Sequence, residues 1–186
     1  MDALSVARKL CGPPVSADAA TARLPRASGL YAWWSTPGVL PEVAGPSHPN
    51  DRGLQLLYIG LASNLWKRVA RNHFRGPTGS STLRRALVAL LMPSEGYTTR
   101  WTTDRVVPID ADEERLSGWM REHLRVTWVE HPDPKDVEAA VINDLGPPLN
   151  QDHNKAHPLY ATIAAARATY RASAGPRPHH GRSPQP

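Results

Sequence analysis

The sequence predicts a mixed α/β fold, of the α+β kind, in which helices pack on a small sheet. Three short segments have the aromatic and β-branched composition of strands, and the segments around them space apolar residues three or four positions apart. The length of 186 residues, 40% of them hydrophobic, provides one core and is too short for two full-sized domains. We therefore expect one domain with short appendages.

The three expected strands cover residues 28–35, 54–60 and 126–130. The first two are separated by a stretch rich in proline and glycine, residues 36–53, which cannot form regular structure throughout. We expect these two strands to be the arms of a long hairpin. Because side chains alternate along a strand, only one of Trp33 and Trp34 can pack on the same face as Tyr31.

Capping residues and helix-breaking residues place the helices. Ser63 or Asn64 precedes a helix over residues 65–74, and Ser80 or Ser81 precedes a second helix with leucines on its inner face. Asp133 and the proline after it open another helix in the favoured way. The remaining predictions are a helix over residues 110–122, the end of the Asp133 helix at residues 146–148, and a last helix over residues 159–170.

The expected organisation has four parts. Residues 1–27 form an N-terminal extension and residues 28–150 form the main domain, with the proline-rich insertion at residues 36–53. Residues 151–172 contribute a C-terminal helix that packs on the domain. Residues 173–186 have almost no apolar side chains to bury, so we expect a disordered tail.

Composition argues against several classes of protein. The longest uninterrupted apolar run has seven residues, at 86–92, whereas a membrane span needs about twenty. Residues 1–14 contain no apolar stretch of signal-peptide length. Cys11 is the only cysteine, so neither an internal disulfide nor a cysteine-rich zinc site is expected. These features favour a cytoplasmic protein without a membrane partner.

The positive charge is concentrated in one part of the chain. Residues 52–94 contain seven basic residues and no acidic residue, whereas residues 95–144 contain six basic and twelve acidic residues. Such a segment is typical of a surface that faces phosphates, and equally of a solvated helical face that balances the acidic segment. Residues 79–85 open a helix with hydroxyl groups and two arginines, which suits phosphate contact or ordinary helix capping.

Two charged residues fall beside apolar helix faces. Glu138 is followed at helical spacing by Val141 and Ile142, and Arg68 lies next to Val69. A partly buried carboxylate must pair with a base, bind a metal or change its pKa. The sequence leaves open whether Glu138 is a metal ligand or forms a structural ion pair with Arg68.

Five pieces of sequence follow one another in a known order. They are Gly29-Leu30-Tyr31, Tyr58-Ile59-Gly60, Arg68 ten residues after Tyr58, Glu138 on a later helix, and Pro147-Pro148-Leu149-Asn150. This order resembles the GIY-YIG nuclease superfamily over residues 28–150. The resemblance implies a central three-stranded antiparallel sheet flanked by helices, and metal-dependent hydrolysis of phosphodiester bonds in nucleic acid, with DNA favoured over RNA.

The resemblance also implies roles for individual residues. Glu138 would be the sole protein ligand of one Mg²⁺ or Mn²⁺ ion, and Arg68 would hold the scissile phosphate. Tyr31 and Tyr58 would face the reaction centre, and Asn150 would brace it with hydrogen bonds. The arginines of the basic segment, namely Arg71, Arg75, Arg84 and Arg85, are the expected nucleic-acid-binding residues.

Three features depart from the family pattern, of which the first, Leu30 in place of the usual isoleucine, is a harmless apolar exchange. Many members place a histidine or tyrosine four residues after the arginine, where this chain has Asn72, and His73 comes one residue later. One residue is about 100° around an α-helix, so either Asn72 or His73 is a candidate for that place. The third departure is the separation of 26 residues between Tyr31 and Tyr58, which makes the insertion at residues 36–53 a candidate substrate clamp or a purely structural addition.

Two functions of other classes fit the same residues. The first is a nucleic-acid-binding module that keeps the fold and does not cleave. The second is a protein-interaction domain in which Arg68 and Glu138 form a buried pair. Since residues 151–186 are too short for a typical recognition domain, a partner protein or an oligomer is expected to supply targeting for a nuclease.

Overall fold

The computed structural model describes residues 1–40 and 42–178, and these form a mixed α/β fold. The helices are α1 (Ala3–Leu10), α2 (Ala17–Arg23), a π-helix (Lys67–His73), a 3₁₀ turn (Thr78–Ser80), α3 (Thr82–Glu95), α4 (Asp110–His123), α5 (Lys135–Leu145) and α6 (Tyr160–Ala172). The strands are β1 (Gly29–Ser35), β2 (Ser47–His48), β3 (Asp51–Ala62), β4 (Thr99–Trp101), β5 (Val106–Pro108) and β6 (Leu124–Glu130).

The main sheet has four antiparallel strands in the order β2-β3-β1-β6, where three were expected. The antiparallel pairing of β1 with β3 is confirmed, and β6 lies on the other side of β1. The additional strand β2 comes from the proline-rich insertion, in which the Pro46 carbonyl accepts a hydrogen bond from the Leu56 N–H at 2.8 Å. A further small sheet, β4 with β5, was not predicted.

The two faces of the main sheet bury separate cores. Tyr31 and Trp33 pack into the larger core with α2, α3 and α6, whereas Trp34 packs on the opposite face. The prediction that the two tryptophans diverge is therefore confirmed. Helices α1 and α5 pack against each other, and their apolar residues cover the face that contains Trp34.

The insertion is integrated into the structure. Its Leu40 and Val43 are buried in the larger core, and its His48 packs edge-on against Trp34 with ring centroids 4.6 Å apart. His48 also contacts the Gly12 carbonyl through Nε2 at 3.1 Å, which connects the insertion to the N-terminal extension. These contacts support the interpretation of the insertion as a structural addition.

The chain after α6 begins with anchored residues. The Thr99 and Ser173 hydroxyls are 2.7 Å apart, and the Trp101 indole N–H donates to the Gly175 carbonyl at 2.9 Å. The expected disorder of residues 173–186 is therefore not seen over residues 173–178, because β4 supplies partners, and residues 179–186 lie outside the described residues. Among the described helices, none has the length and apolar character needed to cross a bilayer.

Candidate active site

Two tyrosines from neighbouring strands approach each other over a glycine. Tyr31 on β1 is paired with Gly60 on β3, and Trp33 is paired with Tyr58, so both tyrosines lie on the same face of the sheet. A Cβ atom on Gly60 would overlap the Tyr31 hydroxyl, and it would lie 2.7 Å from Tyr31 Cζ and 2.9 Å from Tyr58 Cε1. Glycine at this position is what allows the two phenol rings to converge.

The buried Tyr31 hydroxyl lies in a polar cluster with the buried His73 and the partly buried Arg68. Its oxygen is 2.8 Å from Nε2 of His73 and accepts a hydrogen bond from Nε of Arg68 at 3.4 Å. Burial raises the pKa of Tyr31, and the charge and hydrogen bond of Arg68 act in the opposite direction. Burial, with the positive charges of Arg68 and Arg84, holds the pKa of His73 well below its ordinary value, so the imidazole is neutral at pH 7.

The helix between Arg68 and His73 explains how a displaced histidine reaches Tyr31. Asn64 begins this helix, since its side-chain oxygen accepts from the Lys67 N–H at 2.8 Å. The helix then continues as a π-helix, with the Phe74 N–H bonded to the Val69 carbonyl five residues earlier. A π-turn contains one residue more than an α-turn, so position i+5 falls where i+4 would fall in an α-helix. His73 therefore takes the inward position, and Asn72 is left partly exposed.

Both ring nitrogens of His73 contact a hydroxyl group. The Ser81 hydroxyl oxygen is 2.8 Å from Nδ1 of His73, and it already accepts from the Arg84 backbone N–H at 3.1 Å. Because a hydroxyl oxygen can accept two hydrogen bonds and Tyr31 can donate its own proton to Nε2, these contacts are compatible with either neutral tautomer of His73. Arg68 donates to the Tyr31 oxygen and favours the ionised form of the phenol, whereas burial opposes it.

Arg68 bridges this cluster and the start of α3. Its Nη1 donates to the Ser80 carbonyl at 3.1 Å, in addition to its contact with Tyr31. In the described part of the chain, Arg68 and Glu138 form no ion pair. The geometry therefore contradicts the hypothesis of a structural Arg68–Glu138 pair, and Arg68 retains donors for an external anion.

Glu138 lies in a cleft of about 120 Å³ that also contains Tyr58 and Asn150. The helix α5 packs on the opposite face of the sheet through its apolar residues, and Glu138 reaches the cleft from there. Asn150 fixes the edge of β3, since its Oδ1 accepts from the Ile59 N–H at 2.9 Å and its Nδ2 donates to the Ile59 carbonyl at 2.8 Å. Asn150 thus holds the residue between Tyr58 and Gly60.

The electrostatics of the cleft suit a bound cation. Burial raises the pKa of Glu138, and His153 and Asp152 act on it with opposite signs. Glu138 has no ion-pair partner within residues 1–40 and 42–178. Burial also raises the pKa of Tyr58, which Arg68 lowers and Glu138 raises further. A carboxylate without a partner, in a cleft with room for water, fits a divalent ion that keeps most of its own water ligands.

The expected nucleic-acid-binding arginines fall into different environments. Arg71 and Arg75 are exposed, and Arg85 is partly buried. Arg84 is fully buried: it forms a 2.7 Å ion pair with Glu113 and donates to the His73 carbonyl at 2.7 Å. Arg84 therefore has no surface to offer a phosphate, which corrects that expectation, and its role is to tie the end of the π-helix to α3 and α4.

Sequence reasoning did not assign several residues that border the cluster and the cleft. Ser81 was expected as a helix cap or as part of a phosphate-contacting segment and not as a partner of His73, and Thr82, Gln151, Asp152 and His153 line the cleft with Glu138. No sequence signal identifies Ser81 as a partner of His73, because a serine that caps a helix looks the same in sequence as a serine that contacts another side chain. The short spacing from Asn150 to His153 is the one signal that could have placed these neighbours near the cleft.

Comparison with known proteins assigns the family. A family model described as the GIY-YIG catalytic domain matches residues 29–169, which is more than half of the chain. Neither the curated proteins nor the solved structures gave a match. The matched region begins at the first residue of β1 and contains the two tyrosines, Arg68, Glu138 and Asn150. The chain therefore belongs to the GIY-YIG family of nuclease-type catalytic domains.

Proposed function

We propose that this chain is a divalent-metal-dependent endonuclease that hydrolyses phosphodiester bonds in DNA. One observation carries the proposal: Tyr31, Arg68 and His73 form a hydrogen-bonded cluster, and the charges of Arg68 and Glu138 both act on Tyr58 beside it. A phosphoryl-transfer centre needs positive charge for the developing oxyanion and a base for water, and this group supplies both kinds of residue.

The residues would divide the reaction as follows. Arg68 would donate to the non-bridging oxygens of the scissile phosphate. Tyr31 would accept a proton from the attacking water, aided by the hydrogen bond and the positive charge of Arg68, which favour the ionised form of its oxygen. Tyr58 would orient that water from the mouth of the cleft. The oxygen that leaves phosphorus takes up a proton from solvent as the P–O bond breaks.

Glu138 would hold one Mg²⁺ or Mn²⁺ ion, which would supply positive charge to the phosphate oxygens. Asn150 would keep the backbone of β3 in place so that Tyr58 stays aligned. Targeting to particular sites in DNA would come from a partner protein or from a second copy.

Cleavage of plasmid and oligonucleotide substrates in the presence of Mg²⁺ or Mn²⁺ tests this function. The screen includes linear, nicked, branched and single-stranded DNA, with RNA of the same sequence as the test of substrate class. We expect Glu138→Ala to lower cleavage at least about a hundredfold. Asp144→Ala removes an exposed carboxylate from the same helix and should leave cleavage unchanged. Equal activity of Glu138→Ala and the unaltered chain would rule out this mechanism.

A second function remains the alternative: nucleic-acid binding on the same fold without cleavage. The observation that favours it is the complete burial of Tyr31, which raises its pKa and disfavours the ionised base. Binding that weakens steeply with salt, together with no cleavage of any substrate in the screen, would support this alternative.

A further inference from the structure

Two arginines from different helices meet on Thr82, the first residue of α3. Arg85 donates from Nη2 to the Thr82 hydroxyl at 3.1 Å and from Nη1 to the Gly79 carbonyl at 2.7 Å. Arg167, on α6, donates from Nη2 to the Thr82 carbonyl at 3.2 Å. One residue therefore fixes the positions of two guanidinium groups that are distant in the sequence.

This pair lies beside the candidate active site. The cleft that contains Glu138 and Tyr58 is also lined by Thr82. The positive charge of Arg167 acts on the Tyr58 hydroxyl. Arg68 is anchored on the 3₁₀ turn just before α3, so the guanidinium that would hold the scissile phosphate is close in the chain to the Thr82 anchor.

The charge of the pair is not compensated within the chain. No carboxylate in the described residues lies within ion-pair distance of Arg85 or Arg167, and Nε of Arg167 is buried without a hydrogen-bond partner there. Burial lowers the pKa of both arginines, and Arg105 lowers that of Arg85 further, whereas Asp152 acts on Arg167 in the opposite direction. An anion would relieve the cost of holding these like charges together.

We propose that Arg85 and Arg167 form a second phosphate site, which binds the backbone phosphodiester next to the one that Arg68 holds. Two guanidinium groups with fixed positions and free N–H donors match the oxygens of a phosphodiester better than a single flexible lysine would. The identity of the ligand as nucleic acid rests on the proposed function. The site extends the substrate-binding surface from the basic segment, residues 52–94, to helix α6 near the C-terminal end of the described chain.

Binding to DNA in the absence of divalent metal tests the site without relying on cleavage. A fluorescein-labelled duplex is titrated with the unaltered chain, Arg85→Ala, Arg167→Ala and the double variant at several salt concentrations in EDTA. We expect each single variant to weaken binding about three- to tenfold at 0.1 M salt and to reduce the slope of log K against log salt by less than about 1, because the remaining arginine still contacts the phosphate. The double variant should reduce the slope by about 1, because the phosphate then loses both of its arginine contacts.

Arg8→Ala is the matched control, since Arg8 is an exposed arginine on α1, on the opposite face of the sheet. Melting temperatures confirm that each variant is folded. A slope for Arg85→Ala and Arg167→Ala equal to that of the control would overturn the proposal, as would a lack of DNA binding by the unaltered chain. A loss of slope without any cleavage activity would instead uphold this site and contradict the endonuclease function.

Discussion

The residue that decides the geometry of the two phenol groups is Gly60, which has no side chain of its own. Hydrogen bonding between β1 and β3 places Gly60 opposite Tyr31, and the Tyr31 hydroxyl occupies the space of a missing Cβ atom. The same hydroxyl must stay within reach of Arg68 and His73. The hydrogen-bond cluster therefore depends on glycine at position 60, although Gly60 itself makes none of the hydrogen bonds.

Gly60→Ala tests this coupling. The added methyl group overlaps Tyr31, so we expect a loss of about 1–3 kcal/mol in the free energy of unfolding, as is usual for an overpacked core. Tyr31→Phe removes the hydroxyl nearest to the new methyl group, so the loss on Gly60→Ala should be smaller in that background. Chemical denaturation of the four proteins in this cycle measures the coupling. Equal losses in both backgrounds would show that the hydroxyl is not the obstacle.

At the scale of elements, the π-helix is the feature that brings His73 to Tyr31. The additional residue in its turn places Asn72 on the outer side of the helix and His73 on the inner side. Nη1 of Arg84 donates a hydrogen bond to the His73 carbonyl. Such a turn costs stability relative to an α-helix, and here it places His73 against the buried Tyr31 hydroxyl.

Deletion of Asn72 should convert the π-helix into an α-helix without moving His73 away from Tyr31. The histidine would then stand four residues after Arg68, which is the same face of an α-helix. We expect a folded variant whose cleavage activity stays within about tenfold of the unaltered chain, since the local helix geometry improves and the cluster is preserved. Circular dichroism and the cleavage assay give the two readouts.

Asn72→Ala is the control for this variant, because it removes the same side chain and leaves the spacing of Arg68 and His73 unchanged. An inactive but folded Asn72 deletion would mean that the π-turn itself, and not the position of His73, is required.

Local sequence patterns predicted the elements whose stabilising contacts are local. The strands β1, β3 and β6 and the helices α3 to α6 follow from side-chain alternation, capping and glycine or proline at their ends. The strand β2 could not be predicted, because the proline-rich segment is ordered by the edge of β3. The π-turn was also missed, since its reason is a contact between His73 and a strand that is distant in sequence.

The same limit applies to the candidate site. Tyr31, Tyr58, Arg68, Glu138 and Asn150 could be selected from their order along the chain. The burial of Arg84 could not be predicted, because its partner Glu113 belongs to a helix whose packing the sequence does not specify. The contribution of Arg167 depends in the same way on where α6 packs against α3.

At the scale of the whole molecule, the site carries uncompensated charge that the fold must tolerate. Burial raises the pKa of Glu138 in the folded protein above its unfolded value. Glu138 therefore keeps its proton in the folded state at pH values where it has lost it in the unfolded state. The free energy of unfolding falls as pH rises through this window. Above the folded pKa the ionised carboxylate costs a constant amount of stability.

Glu138→Gln should remove this cost, so the variant should be more stable than the unaltered chain at pH 7 without metal. We expect an increase of about 1–3 °C in melting temperature, since 1 kcal/mol corresponds to about 2–4 °C for a protein of this size. The increase should vanish at pH values below the unfolded pKa, where the carboxyl group is protonated in both states. Thermal melts between pH 3.5 and pH 8 measure this difference.

Addition of Mg²⁺ should reverse the order of the two proteins. A cation bound at Glu138 stabilises only the folded state, by about 1.4 kcal/mol at ten times its dissociation constant, so the melting temperature of the unaltered chain should rise by about 3–6 °C. Glu138→Gln lacks the anionic ligand and should not respond. The opposite pattern, in which Glu138→Gln is less stable at pH 7 and Mg²⁺ changes neither protein, would identify Glu138 as a structural residue that needs its charge for folding and would remove the metal site from the mechanism.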